Sequence, residues 1–199
     1  METLVVNLFG GPGSGKSTTA AGIFSKLKLA GVNCEFAPEW AKEKVWAGEE
    51  VTLDNQLYVF GKQYHRIWRL LDKVDIVITD APILNSILFY KAENPYFSRM
   101  VSFEHSRLNN FNVFLQRIKP YNPSGRLQDE QGARDLDEKI RNILQFLGED
   151  FFTAPAVETV IDELVNMSLR RHALVNRIDL PHPPIQTPDW DQVVRVEHD

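Results

Sequence analysis

Leu4-Val5-Val6-Asn7-Leu8-Phe9, followed at once by Gly10-Gly11-Pro12-Gly13-Ser14-Gly15-Lys16-Ser17, is the stretch that decides the fold. The first six residues are mostly apolar and end at a glycine-rich turn, which reads as a buried strand. The next eight fit G-x-x-x-x-G-K-[ST] at every fixed position. Residues 16–30 then read as a helix with Ala20, Ile23, Phe24 and Leu27 on one face, stopped by Gly31. In a strand–loop–helix of this kind the glycines let backbone N–H groups turn inward around phosphate oxygens. The helix aims the positive end of its dipole at the same anion. Gly11, Gly13, Ser14, Gly15, Lys16, Ser17 and Thr18 are therefore the expected nucleotide contacts. Lys16 is expected to reach the β- and γ-phosphates, and the Ser17 hydroxyl to ligate Mg²⁺.

Outward from the loop, strands and helices alternate. Residues 33–37, 74–79, 111–116 and about 150–153 read as further strands. Helices are expected at 39–47, 53–73, about 83–92, about 96–109, 135–147 and about 157–170. This alternation implies an α/β fold with a parallel sheet covered on both faces. Residues 1–175 read as one domain and 176–199 as a C-terminal extension that packs on the core or mediates contacts, with disorder as the alternative. Four prolines fall within 181–188.

The chain has 199 residues, is 43% hydrophobic and carries a formal net charge of −5. Such a balance argues against a broad basic surface for duplex DNA, though not against a local basic groove. No apolar run approaches the ~20 residues of a membrane span. Met1 leads straight into the first strand without a charged n-region or cleavage site, so a cytoplasmic location is expected. Cys34 is the only cysteine, and a buried structural thiol is its simplest role.

Asp80 ends the third strand, over the crevice of an open parallel sheet. It is a candidate Mg²⁺ ligand opposite Ser17; the competing role is capping the helix after Pro82. Glu39 follows the second strand and either orients or deprotonates an acceptor hydroxyl, or serves as a first-turn residue favoured by the helix dipole. Trp40 and Trp46 read as core residues, with base stacking as the alternative. Gln63 and Arg66 lie on the polar face of the third helix, where they meet either solvent or an acceptor. His65 reads as a surface or core-edge residue. Segment 119–134 holds Lys119, Arg126 and Arg134 among glycines and reads as a lid whose arginines, Arg126 first and then Arg134, neutralise phosphoryl charge, or as a plain solvated loop. Thr153-Ala154-Pro155-Ala156 is a candidate adenine-contacting loop.

Three pieces carry a family resemblance: Gly10 to Thr18, Pro38-Glu39-Trp40-Ala41-Lys42, and Val77-Ile78-Thr79-Asp80-Ala81-Pro82. With Gly125-Arg126 in support, the sequence resembles the P-loop kinases that include nucleoside monophosphate, deoxynucleoside and ribosylnicotinamide kinases. It looks most like small kinase-like ATP-binding proteins of tailed bacteriophages, which would place it in the host cytoplasm. The resemblance implies a three-layer P-loop NTPase fold with five parallel strands in order 2-3-1-4-5 and a small lid. It also implies ATP and Mg²⁺ as cofactors, an acidic residue near the acceptor matching Glu39, and lid arginines matching Arg126 and Arg134. The thymidylate kinase pattern Asp-Arg-Tyr is absent after the third strand, where Asp80-Ala81-Pro82 stands. The expectation is a phosphotransferase from ATP to a nucleoside-like acceptor. A kinase acting on a hydroxymethylated pyrimidine in DNA and a non-catalytic ATP-binding regulator stay open beside it, as does a homodimer.

Overall fold

A computed structural model describes residues 1–92, 94–118, 120–122 and 129–178. Lys119, Arg126 and the tail from 179 onward lie outside the described residues. Five strands form one sheet in the order β2-β3-β1-β4-β5. They are β1 (Leu4–Phe9), β2 (Cys34–Ala37), β3 (Ile76–Thr79), β4 (Asn109–Gln116) and β5 (Phe151–Pro155). Every pairing is parallel, with β1 at the centre between β3 and β4. This is a P-loop NTPase fold, as expected.

All of β1 and β3 is buried, which is why both read as near-continuous apolar runs rather than alternating ones. On one face Val6, Leu8, Ile78 and Val113 pack against α1 (Lys16–Leu29) and α7 (Glu158–Asn176). On the other, Val5, Phe9, Val77 and Phe114 meet α3 (Gln56–Trp68), α5 (Pro95–Ser106) and α6 (Glu130–Phe146). Cys34 is buried, and burial pushes its thiol up to about 11, the inert structural thiol expected of it.

One polar seam crosses this hydrocarbon. Asn7 of β1 donates to Asn110 Oδ1 at 2.8 Å and to Asn112 Oδ1 at 3.1 Å, both on β4. Asn110 in turn donates to the His105 carbonyl at 2.7 Å, and Asn112 to Glu149 Oε2 at 3.0 Å.

Several boundaries differ from the sequence expectation. The helix expected over 53–73 is a 3₁₀ turn, Glu50–Asp54, followed by α3. Asn55 makes the break, accepting from Tyr58 N at 3.2 Å as an N-cap. Residues 83–92 give only a 3₁₀ turn, Ile83–Asn85, and the single turn α4 (Ser86–Phe89). The helix expected from 135 starts at Glu130, because Asp129 accepts from Gly132 N at 2.7 Å. The cap holds a glycine in the first turn, so 130–134 of the expected lid is helix. No helix among the described residues is long and apolar enough to cross a membrane.

Candidate functional site

The loop after β1 and the start of α1 form the phosphate cradle. Gly10, Gly13 and Gly15 take φ of 137°, 79° and 99°, a region that L side chains avoid. Space is as restrictive as conformation. A Cβ on Gly15 would lie 2.7 Å from Ala156 Cβ, and one on Gly13 would lie 3.0 Å from Arg117 Nη1. The first turn of α1 contains no acidic residue, so the positive end of its dipole stays available to an anion. Ser14 Oγ is buried beside the loop without a hydrogen-bond partner among the described residues. A cradle closed to side chains, with an orphaned hydroxyl beside it, fits a polyphosphate.

Lys16 is half-buried and donates through Nζ to the carbonyls of Gly10 at 2.7 Å and Gly11 at 3.0 Å. Desolvation pushes its pKa down, while the carboxylates of Glu39, Asp80 and Asp137 oppose the shift. A lysine held on carbonyls beside three acids is ready to exchange those contacts for phosphate oxygens.

Asp80 is buried at the end of β3, and its Oδ1 accepts from Glu39 N at 2.9 Å. The turn after Pro82 receives no side-chain cap, so Asp80 does not cap it. It ties down instead the start of α2 (Trp40–Trp46), whose N-cap residue is Glu39. The Glu39 side chain makes no capping bond of its own. Burial pushes its carboxyl pKa up; Lys16 pulls it down and Asp80 adds to the rise. Among the described residues no group of three or more His, Cys, Asp or Glu is arranged to hold a metal. Ser17 and Asp80 are hard oxygen donors, and Mg²⁺ takes few protein ligands beside phosphate and water, so the pair fits that ion.

One cavity of about 710 Å³ joins these groups. It runs from Gly10–Thr18 past Glu39 and Asp80 to walls supplied by α2, α3 and the turn after β3. Trp40 is buried, as expected, with Tyr58 edge-on at 5.3 Å. Trp46 is not a core residue: it is 65% exposed and lines the cavity. Gln63 is buried rather than on an outer polar face; it accepts from Trp40 N at 2.9 Å and lines the cavity. Arg66 is spent on the Pro38 carbonyl at 3.1 Å and on Glu43 at 2.7 Å. His65 is exposed, as expected, and stacks on Trp68. Arg134 is exposed and pairs with Glu130 at 2.8 Å on its own helix, away from the cavity lining.

Two residues that the sequence did not single out brace the cradle. Arg117, just past β4, donates to the Pro12 carbonyl at 2.7 Å and to Asp137 Oδ2 at 3.0 Å. The other oxygen of Asp137 accepts from Gly11 N. A Cβ on Gly11 would collide with the Ala133 carbonyl, so α6 leans directly on the loop. The available signal was position: Arg117 is the first cation beyond the strand adjacent to β1.

The chain matches the model of a family described as AAA domain over residues 5–160. A solved structure of the APS kinase CysC of Mycobacterium tuberculosis, in a cysteine-to-alanine mutant form, is similar at 19% identity, covering 73% of this chain and 99% of that one with a TM-score of 0.39. No curated protein sequence matches. The family match begins inside β1 and ends inside α7, thereby taking in all the elements that build the cradle, and the chain belongs to the AAA domain family.

Proposed function

We propose that the protein is a kinase that moves the γ-phosphoryl of ATP to a hydroxyl of a nucleoside or nucleotide. The observation that carries this reading is the continuity of the cavity: Lys16 and the cradle open directly onto Glu39, Asp80 and a further chamber. A hydrolase needs room for water only, whereas a transferase needs a second binding space next to the phosphates.

The residues then have distinct tasks. The loop amides and Lys16 hold the triphosphate. Ser17 and Asp80 would hold Mg²⁺, which would supply positive charge beside the phosphates. Glu39 accepts the acceptor's hydroxyl proton as its oxygen bonds to the γ-phosphorus and the bond to the β-phosphate oxygen breaks, leaving ADP. A carboxyl with an elevated pKa suits that task, because it is a stronger base than an exposed one. Arg126 is the proposed lid arginine.

Incubation of the purified protein with γ-labelled ATP, Mg²⁺ and a panel of nucleosides and nucleotides tests the reading. Labelled product is expected, together with its loss in Lys16→Ala. ATP binding without transfer to any acceptor would instead support a nucleotide-binding regulator.

A further inference from the structure

The chamber beyond the phosphates differs in chemistry from the cradle. Its cations among the described residues, apart from Lys16, are Lys42 and Lys91. Lys91 is paired with Asp54 at 2.9 Å. Against Lys42 stand the carboxylates of Glu39, Asp80 and Glu50, all lining the same space. No arginine lines it among the described residues. A phosphate monoester carries close to two negative charges, and its recognition calls for bidentate arginine or clustered cations. The described lining of this chamber would repel one.

Its positive features suit an uncharged ring. Val45, Trp46, Val51 and Phe89 supply apolar and aromatic wall, and Gln56 and Asn85 supply amides. Trp46 projects a largely exposed indole on which a flat heterocycle can stack. Gln56 is buried and gives its Nε2 to the Leu53 carbonyl at 2.6 Å, yet its Oε1 has no partner among the described residues. A buried acceptor left unpaired is costly, and an amide is the side chain that reads the donor and acceptor edge of a nucleobase.

From these features we infer that the acceptor is an uncharged nucleoside rather than a nucleotide, and that Gln56 and Trp46 select its base. The inference deepens the kinase reading and rests on it for the role of the chamber. Discrimination follows from the same contacts: a site built to pair a donor on the ring rejects rings that lack it.

The test is calorimetric titration of the whole protein, held with ADP and Mg²⁺, with five free nucleosides (adenosine, guanosine, cytidine, uridine and thymidine) and their 5′-monophosphates. At least one nucleoside is expected to bind at least tenfold tighter than its own monophosphate. Gln56→Met is expected to weaken that nucleoside about tenfold and to weaken ADP much less. Trp46→Ala, at an exposed position that does not threaten folding, should weaken it too. Tighter binding of monophosphates or no nucleoside binding at all would each overturn the inference. Nucleoside binding without phosphoryl transfer would break the kinase reading and leave standing only the selection of the base by Gln56 and Trp46. Transfer to monophosphates would do the reverse.

Discussion

The phosphate half of the cavity comes from one unbroken stretch, residues 10–18, while the acceptor half gathers Glu39 and Trp46 from around α2, Gln56 and Gln63 from α3, and Asp80 and Asn85 from beyond β3. The first half is largely backbone: three glycines at positive φ and a helix terminus. The second is almost wholly side chain. Backbone chemistry ties a motif to a fixed spacing, since each N–H must point at a particular oxygen. Side-chain chemistry needs only that the right groups converge, and the parallel sheet brings them together by ending its strands on the same side. One half is thus constrained to a single ligand class, and the other is free to vary with the acceptor.

Substitutions that separate the halves follow from this, beginning with the largest effect. Lys16→Ala should lower turnover about 10³-fold or more with an unchanged circular dichroism spectrum. Near-normal turnover would remove the phosphate half from the chemistry. Glu39→Gln should lower kcat about 10²-fold while changing ATP affinity much less. Because burial raises the Glu39 pKa, and only the ionised carboxylate accepts a proton, activity should fall on acidification at a pH above the usual carboxylate range. That limb should vanish in the residual activity of the variant. An acid limb at the ordinary position in the parent would break the assignment.

Next in size is Arg117→Met. It leaves Asp137 without its cationic partner, with only the Gly11 N–H still donating to it, in a site where the two side chains are 6% and 19% exposed. Partial exposure of the aspartate tempers the cost, which should reach up to about 3 kcal/mol in denaturant unfolding. If the brace steadies the cradle, ATP affinity should drop and nucleoside affinity should not. The smallest effect is expected from Lys42→Met. The Lys42 charge favours the ionised form of Glu39, so its removal should move the acid limb slightly further up in pH. A downward movement would show that Lys42 acts elsewhere.

Legibility in the sequence followed the same division. The bounds of β1 and the start of α1 could be read directly, because apolar run, glycines and lysine are contiguous. Asp80 and Glu39 were legible as strand-terminal acids, since strand ends face the crevice whatever the tertiary detail. The hydrogen bond between Asp80 and the Glu39 backbone was not, because it joins residues 41 apart. Arg117 and Asp137 escaped for a similar reason: nothing local distinguishes a brace from a surface cation and a helical acid. Trp46 was misplaced because an aromatic ring at helical spacing reads as core, and its exposure depends on what α2 packs against. The start of α6 was missed because Gly132 reads as a breaker, while the Asp129 cap outweighs it.

The amides of Asn7, Asn110 and Asn112 bear on how reliably strands find their partners. A central sheet of valine, leucine and phenylalanine offers nearly equivalent hydrocarbon matches at neighbouring offsets. Sliding β4 by one residue would turn Asn110 and Asn112 toward the α1 and α7 layer and leave Asn7 facing hydrocarbon unpaired. Three amides therefore penalise a frame error that apolar matching alone would tolerate. The same alignment sets how far Arg117 stands from Pro12, so fidelity at the middle of the sheet is inherited by the machinery at its edge.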